Sequence, residues 1–411
     1  MAPPRFGFIV GKDTDVVEDQ KYRDIPGDDS FMADLSDDWR VDPESHEYLK
    51  DCEEGTKGYA HCDVAIAHWV KKNNPDIEVD IIGPSDLNLR RLKKNIANFS
   101  LGFNAVNLLV VAKDPSTEKS LAALQKCGNI VPDWGYEEYI LTKSNYMKAC
   151  INAGVPMAPT IFSCSPDRSP EKLLSDIKER GWKSFVMKQS CSGFSLGFLK
   201  LKVEDCEKDP SILKNYFEEY ASCPEYVVQE TVEGFTRNWE TRCFWFKGEF
   251  LYAIANMAAV STEDGAERII SGDDIPAEFL ENAKRIGAEA IKCLPNMKAS
   301  NGEDISSILV RTDIGCSDGE INDKDYNWKT GEKTFFLNEI EPSSTTYFVR
   351  HLKFDCLPMY GKLYSDSIRE ILSKVEDSKP KAKAKGKGKA KAKAKAASKS
   401  KAKAKAKGKA K

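Results

Sequence analysis

No apolar run in the 411-residue chain approaches the roughly 18 residues that a membrane-spanning helix needs. Its opening residues, Met1-Ala-Pro-Pro-Arg5, lead straight into a short apolar strand, without the leader of a secreted protein. These absences predict a cytoplasmic protein. The 12 cysteines include no Cys-x-x-Cys pair, which argues against a zinc cluster and fits reduced thiols. Histidine is scarce: His61 and His68 stand seven apart on a predicted helix and give no metal signature. No Ser/His/Asp or Cys/His pattern marks a nucleophile. The last 33 residues contain neither an acid nor an aromatic ring.

That terminal stretch carries 16 lysines, so the net charge of -3 hides a body of -19, which is -3 less the tail's +16. Residues 377–411 read as a disordered basic tail, too self-repulsive to fold alone. Such a tail binds polyanions without base stacking, or directs the chain to the nucleus. The whole chain is 41% hydrophobic and 10% aromatic, normal for packed domains.

Along the body, Arg5-Phe-Gly-Phe-Ile-Val-Gly11 predicts a strand, Ala60 to Lys72 a helix, Ile77 to Ile82 a strand, Leu87 to Ala97 a basic helix, and Ala105 to Ala112 a third strand. This alternation is that of an open parallel sheet. Gly7 to Lys12 is no phosphate loop, because three residues separate its glycines and Asp13 replaces the hydroxyl residue. Residues 12 to 57, rich in acids, read as a solvated excursion.

Beyond Pro132, Tyr136 to Lys143 leads into a helix from Ser144 to Ala153. Met157 to Phe162, Ser184 to Lys188, Gly197 to Val203 and Tyr226 to Gln229 read as strands, and Pro170 to Arg180 as a helix. Together they predict a small α+β lid. A hairpin over Asn238 to Asn256 turns at Lys247-Gly248, Pro276 to Cys293 forms a helix, and Ile308 to Ile314 and Thr334 to Glu341 are further strands.

Two stretches carry chemistry. Phe185-Val-Met-Lys-Gln-Ser-Cys-Ser-Gly-Phe-Ser-Leu-Gly197 delivers the Lys188 ammonium on a strand and then turns through small residues, Ser192 and Gly193 among them, whose N–H groups suit phosphate oxygens. Asp313 ends one strand, while Glu339 and Glu341 share a face of the next by period-two alternation. Carboxylates set in apolar runs repel unless a cation joins them, and magnesium, with manganese as a substitute, is the natural one.

The order Lys143, Lys188, Gln229-Glu230, Arg242, Asp313, Glu339, Glu341 resembles the ATP-grasp superfamily, in particular the branch of ribosomal-protein glutamate ligases, glutathione synthetases and D-alanyl-D-alanine ligases. The resemblance implies an α/β fold: an open parallel-sheet domain preceding the grasp over 1–142, a lid over 143–229 and a larger antiparallel lobe with the metal site over 230–376. It implies ATP contacts from Lys143, Lys188, Ser192, Gly193, Gln229, Glu230, Val232, Glu233 and Leu337. Arg242 is implied at the γ-phosphate or acyl phosphate, and Asp313, Glu339 and Glu341 at magnesium. Glu341 departs from the asparagine of many members. Arg311, with Arg268, is a candidate for a substrate carboxylate or for an exposed ion pair.

The implied activity is ATP-dependent ligation of a carboxylate to an amine through an acyl phosphate, with small-molecule substrates and a chain compatible with a homodimer. A kinase acting on an alcohol, and a nucleotide-binding module without turnover, remain open alternatives.

Overall fold

The computed structural model describes residues 2–11, 16–18, 39–41, 59–101, 115–164, 169–192, 197–258, 267–298, 304–305, 309–319, 321–322, 327–328, 333–341, 349–354 and 356–377. By its contacts the chain divides into Met1–Ile368 and Arg369–Lys411. In the second unit the described part is the end of a helix, where Lys374 pairs with Glu370 one turn away at 3.0 Å.

The first sheet is parallel. It contains β1 (Arg5–Ile9), followed in the chain by α1 (Cys62–Asn73), β2 (Glu78–Ile82), β3 (Asn98–Ser100), α2 (Pro115–Cys127) and β4 (Ile130–Val131). The strand order is β2-β1-β3-β4. Alternation along β1 sends Phe6 and Phe8 to one face, where they meet Phe99 and Tyr364, and Ile9 to the other, where it packs with Ile82, Leu92 and Leu124.

The connection into β3 differs from expectation. The predicted basic helix Leu87–Ala97 runs for four α-helical residues, Leu89–Leu92, capped by Asn88, whose Oδ1 accepts from Arg91 N. Asn98 then donates to the Leu92 carbonyl and Asn95 to Asn98 Oδ1, so side-chain amides turn the chain into β3. The strand expected over Ala105–Ala112 lies outside the described residues, as do most of the acidic segment 12–57 and the tail.

Two helices follow, α3 (Trp134–Leu141) and α4 (Lys143–Asn152). Asp133 caps α3, and Thr142 breaks the run by bridging to Cys191, so that Lys143 becomes the first residue of α4.

A small antiparallel sheet comes next, built from β5 (Thr160–Cys164), β6 (Ser184–Gln189), β7 (Leu199–Lys202) and β8 (Glu225–Glu230) in the order β7-β6-β8-β5. Helix α5 (Pro170–Glu179), capped by Ser169 with Pro170 at its first position, covers one face. Phe185, Met187, Tyr226 and Val228 point into the core beneath it, together with Ile177, Trp182 and Leu213. Period-two alternation therefore turns Val186, Lys188 and Gln229 to the opposite face.

The largest sheet is also antiparallel, with β9 (Glu240–Phe246), β10 (Glu249–Met257), β11 (Arg268–Ser271), β12 (Leu309–Ser317) and β13 (Thr334–Glu341) in the order β11-β10-β9-β12-β13. Its hairpin turns at Lys247 and Gly248, both at positive φ, as a two-residue connection requires. Helix α6 (Ala277–Ile291) covers the back of the sheet, where Gly287 comes against Thr312 and Trp245. The chain's last described helix is Cys356–Asp377. No helix among the described residues is long and apolar enough to cross a membrane.

Candidate active site

Between the small sheet and the front of the large one lies a cavity of about 380 Å³. Lys143, Lys188, Ser192, Gln229, Glu230, Val232, Glu339 and Glu341 all line it, so residues spread over nearly 200 positions meet. The lining also includes Thr231 and Phe336, and residues without a legible signal in the sequence: Ala158, Val186, Phe198, Lys200, Phe235, Thr236 and Asn338.

The cavity is divided chemically. One part is apolar: Ala158 and Phe336 pack with Val232 and Phe235, the two rings 5.8 Å apart. Here Gln229 has a fixed polarity. Thr160 Oγ1 donates to the Ala158 carbonyl at 2.7 Å and so accepts from Gln229 Nε2 at 3.1 Å, which leaves Gln229 Oε1 as the acceptor. Thr231 Oγ1 is buried here without a hydrogen-bond partner.

The other part is ionic. Lys143 Nζ sits 2.9 Å from Glu339 Oε1 and also donates to the Ser192 carbonyl. The Lys143 amide donates to the Ser190 carbonyl at 2.7 Å, and the Ser144 and Ser190 hydroxyls lie 2.7 Å apart, so the start of α4 is fastened to the end of β6. Burial works to raise Glu339, but Lys143 and Lys188 outweigh it and hold the carboxyl down at about 2. Burial, then the Glu339 charge, push Glu341 up to about 6. Burial likewise lowers the Lys188 amine, against the pull of Glu339.

The floor beside these groups is a cross-strand ladder. Arg242 pairs in register with Asp313, Asp313 with Glu339, and Arg311 with Glu341. Arg311 Nε and Nη2 donate to the two Asp313 oxygens at 2.7 Å each, a buried fork. Arg242 lies 3.0 Å from Glu240 and 3.8 Å from Asp313.

Of the three acids expected at a metal, two line the cavity and the third stands on the neighbouring strand in register with Glu339. Glu339 and Glu341 face the cavity, whereas Arg311, two residues back on the same face of β12, takes both oxygens of Asp313. Among the described residues no three acidic, histidine or cysteine side chains close into a metal-holding group. Glu339 and Glu341 fit a divalent cation: both carboxylates line the cavity and their charges adjoin.

Other expected residues lie elsewhere. Leu337 does not line the cavity. Plain alternation puts it on the face of Glu339, but Asn338 is an extra residue between the pairs Asp313/Glu339 and Ile314/Leu337, and this bulge exchanges the faces. Leu337 is fully buried, its amide on the Pro156 carbonyl, and Phe336 takes the cavity position. Glu233 points to solvent beside Arg237, and Arg268 is exposed at the start of β11. Gly193 lies outside the described residues.

No family model and no curated protein matches the sequence. Solved structures do match in shape. D-cycloserine synthetase DcsG superposes with a TM-score of 0.56 at 13% identity, over 89% of this chain and 99% of that one. D-alanine–D-alanine ligase from Bacillus anthracis, complexed with ATP, superposes at 0.50 and 15% identity, over 91% and 99%.

Proposed function

We propose that this chain, which has the ATP-grasp fold, is an ATP-dependent ligase that activates a carboxylate as an acyl phosphate and joins it to an amine. The observation that carries this reading is the divided cavity: an apolar slot with a fixed acceptor suits a nucleobase, and the lysine and carboxylate end suits a triphosphate.

In this reading Lys143 and Lys188 offset phosphate charge, and Lys143 is already oriented by Glu339. The substrate carboxylate attacks the γ-phosphorus and ADP leaves; the amine then attacks the acyl carbon, the C–N bond forms, phosphate departs, and the amine proton passes to solvent. Glu339 and Glu341 would hold magnesium, which supplies charge neutralisation at the phosphates. Arg242, next to Asp313 on the floor, is assigned the departing phosphate. Arg311 is assigned to holding Asp313 rather than to a substrate. Little covalent work falls to the protein, in keeping with the lack of a nucleophile.

The test is incubation with magnesium-ATP and pooled amino acids and carboxylates, followed by mass spectrometry. ADP, phosphate and a condensed amide are expected in equal amounts. A phosphoester instead of the amide would assign a kinase, and ATP binding without turnover a nucleotide-binding module; either overturns the ligase.

A further inference from the structure

Asn338 on β13 and Glu240 on β9 are joined although β12 runs between their strands. The Asn338 amide Nδ2 donates to Glu240 Oε1 at 2.8 Å, an orientation dictated by the carboxylate, which only accepts. The cavity face of β12 permits the link. Arg242 and Thr241 pair with Asp313 and Ile314, so the next step sets Glu240 level with Gly315, which has no side chain of its own to raise between them. At the other end the bulge leaves Asn338 outside the pairing with β12, and its side chain lines the cavity.

Glu240 in turn meets Arg242 with its other oxygen alone: Arg242 Nε and Nη2 both converge on Oε2, at 3.3 and 3.0 Å. Arg311, on the neighbouring strand, shows the alternative, since it takes the two oxygens of Asp313 at 2.7 Å each. A planar guanidinium favours such a two-oxygen fork, and Glu240 would offer one if its Oε1 were not held by Asn338. We infer that Asn338 is a positioning residue: by holding Oε1 it keeps Glu240 from closing a fork on Arg242, so that this guanidinium stays oriented yet open to the departing phosphate. This deepens the reading given under Proposed function, which assigns Arg242 to that phosphate, and rests on it. The Arg242 and Glu240 side chains are 17% and 13% exposed, so water competes little for either partner.

The experiment measures kcat and the KM for ATP from phosphate release in magnesium-ATP with a fixed excess of pooled amino acids and carboxylates. Asn338→Ala is expected to lower kcat on the order of 100-fold, the loss that follows when a group at the reacting centre is turned away, and to leave the KM for ATP within about twofold. Adding Glu240→Gln to Asn338→Ala should restore most of the loss, because a neutral amide cannot close a charged fork on Arg242. Asn338→Gln, which keeps the donor, should lie between Asn338→Ala and the wild type. A merely structural role would give no rescue by the second substitution. Unchanged kcat in Asn338→Ala, a rise in the KM for ATP in its place, or a loss that Glu240→Gln does not relieve overturns the inference alone. A wild-type chain without turnover overturns the ligase reading and this inference with it.

Discussion

Lys143 at the start of α4 and Glu339 on β13 meet at 2.9 Å, and this contact ties the segment that precedes the small sheet to the floor of the large one. If the pair positions a phosphate-binding ammonium, Lys143→Met and Glu339→Gln should each lower ATP-dependent turnover roughly 100-fold. The double variant should lose much less than the product of the two. Steady-state kinetics on all three closes the cycle, and strictly multiplicative losses would show that the residues act independently.

The fork between Arg311 and Asp313 makes a different prediction. Both groups are buried, so Asp313→Ala strands a guanidinium and should cost about 3–5 kcal/mol. Arg311→Met with Asp313→Leu should recover most of that loss. Urea unfolding midpoints check this; an unchanged midpoint in Asp313→Ala would show that the fork does not stabilise the fold.

Glu137 on α3 is 2% exposed, and neither carboxylate oxygen has a hydrogen-bond partner. Burial, with the Asp133 charge behind it, pushes the carboxyl up to about 8 from its ordinary 4.5. The folded state thus holds a proton that the unfolded chain gives up. Its contribution to stability is full below about pH 4.5 and is lost as pH rises toward 8. Glu137→Gln should melt with the wild type at pH 4.5 and several degrees higher at pH 8. Parallel melting curves across that window would mean that the acid is paired or hydrated.

Gly315, opposite Phe336 on β12, supports the aromatic wall. A Cβ there would meet Phe235 Cε2 and Phe336 Cζ, each at 2.7 Å. Gly315→Ala should drive both rings into the slot and raise the KM for ATP about tenfold, an overpacking effect. The affinity for tripolyphosphate is expected to stay the same, and a matching loss there would place the rings elsewhere.

The sequence exposed the elements built on short apolar runs. Ser184–Gln189 and Thr334–Glu341 were legible because consecutive apolar residues lead into charged ones, and the hairpin because Lys247-Gly248 punctuates two aromatic runs. The gathering of Lys143, Lys188, Glu339 and Glu341 was anticipated from their order in the family resemblance. Other features depend on contacts far along the chain. Asn98–Ser100 has too little apolar character to announce a strand, and it forms because amides from Asn95 and Asn98 organise the turn before it. The fork of Arg311 on Asp313 is not announced by the local sequence, since it depends on how the two side chains fold over the strand. Phe198, hydrophobic yet exposed, can be singled out only when the surface is known.

Asn338 stands alone across the ladder, with no partner on β12. Its neighbours to either side are therefore in two frames of one strand, aromatic before it and acidic after. Deleting this single residue would make the ladder regular and keep Phe336 and both carboxylates on the cavity face, because Leu337 and Glu339 already pair with the adjacent residues Ile314 and Asp313. The pairing across the ladder, more than the count of residues between Phe336 and Glu339, decides that an apolar wall and a charged floor belong to the same pocket.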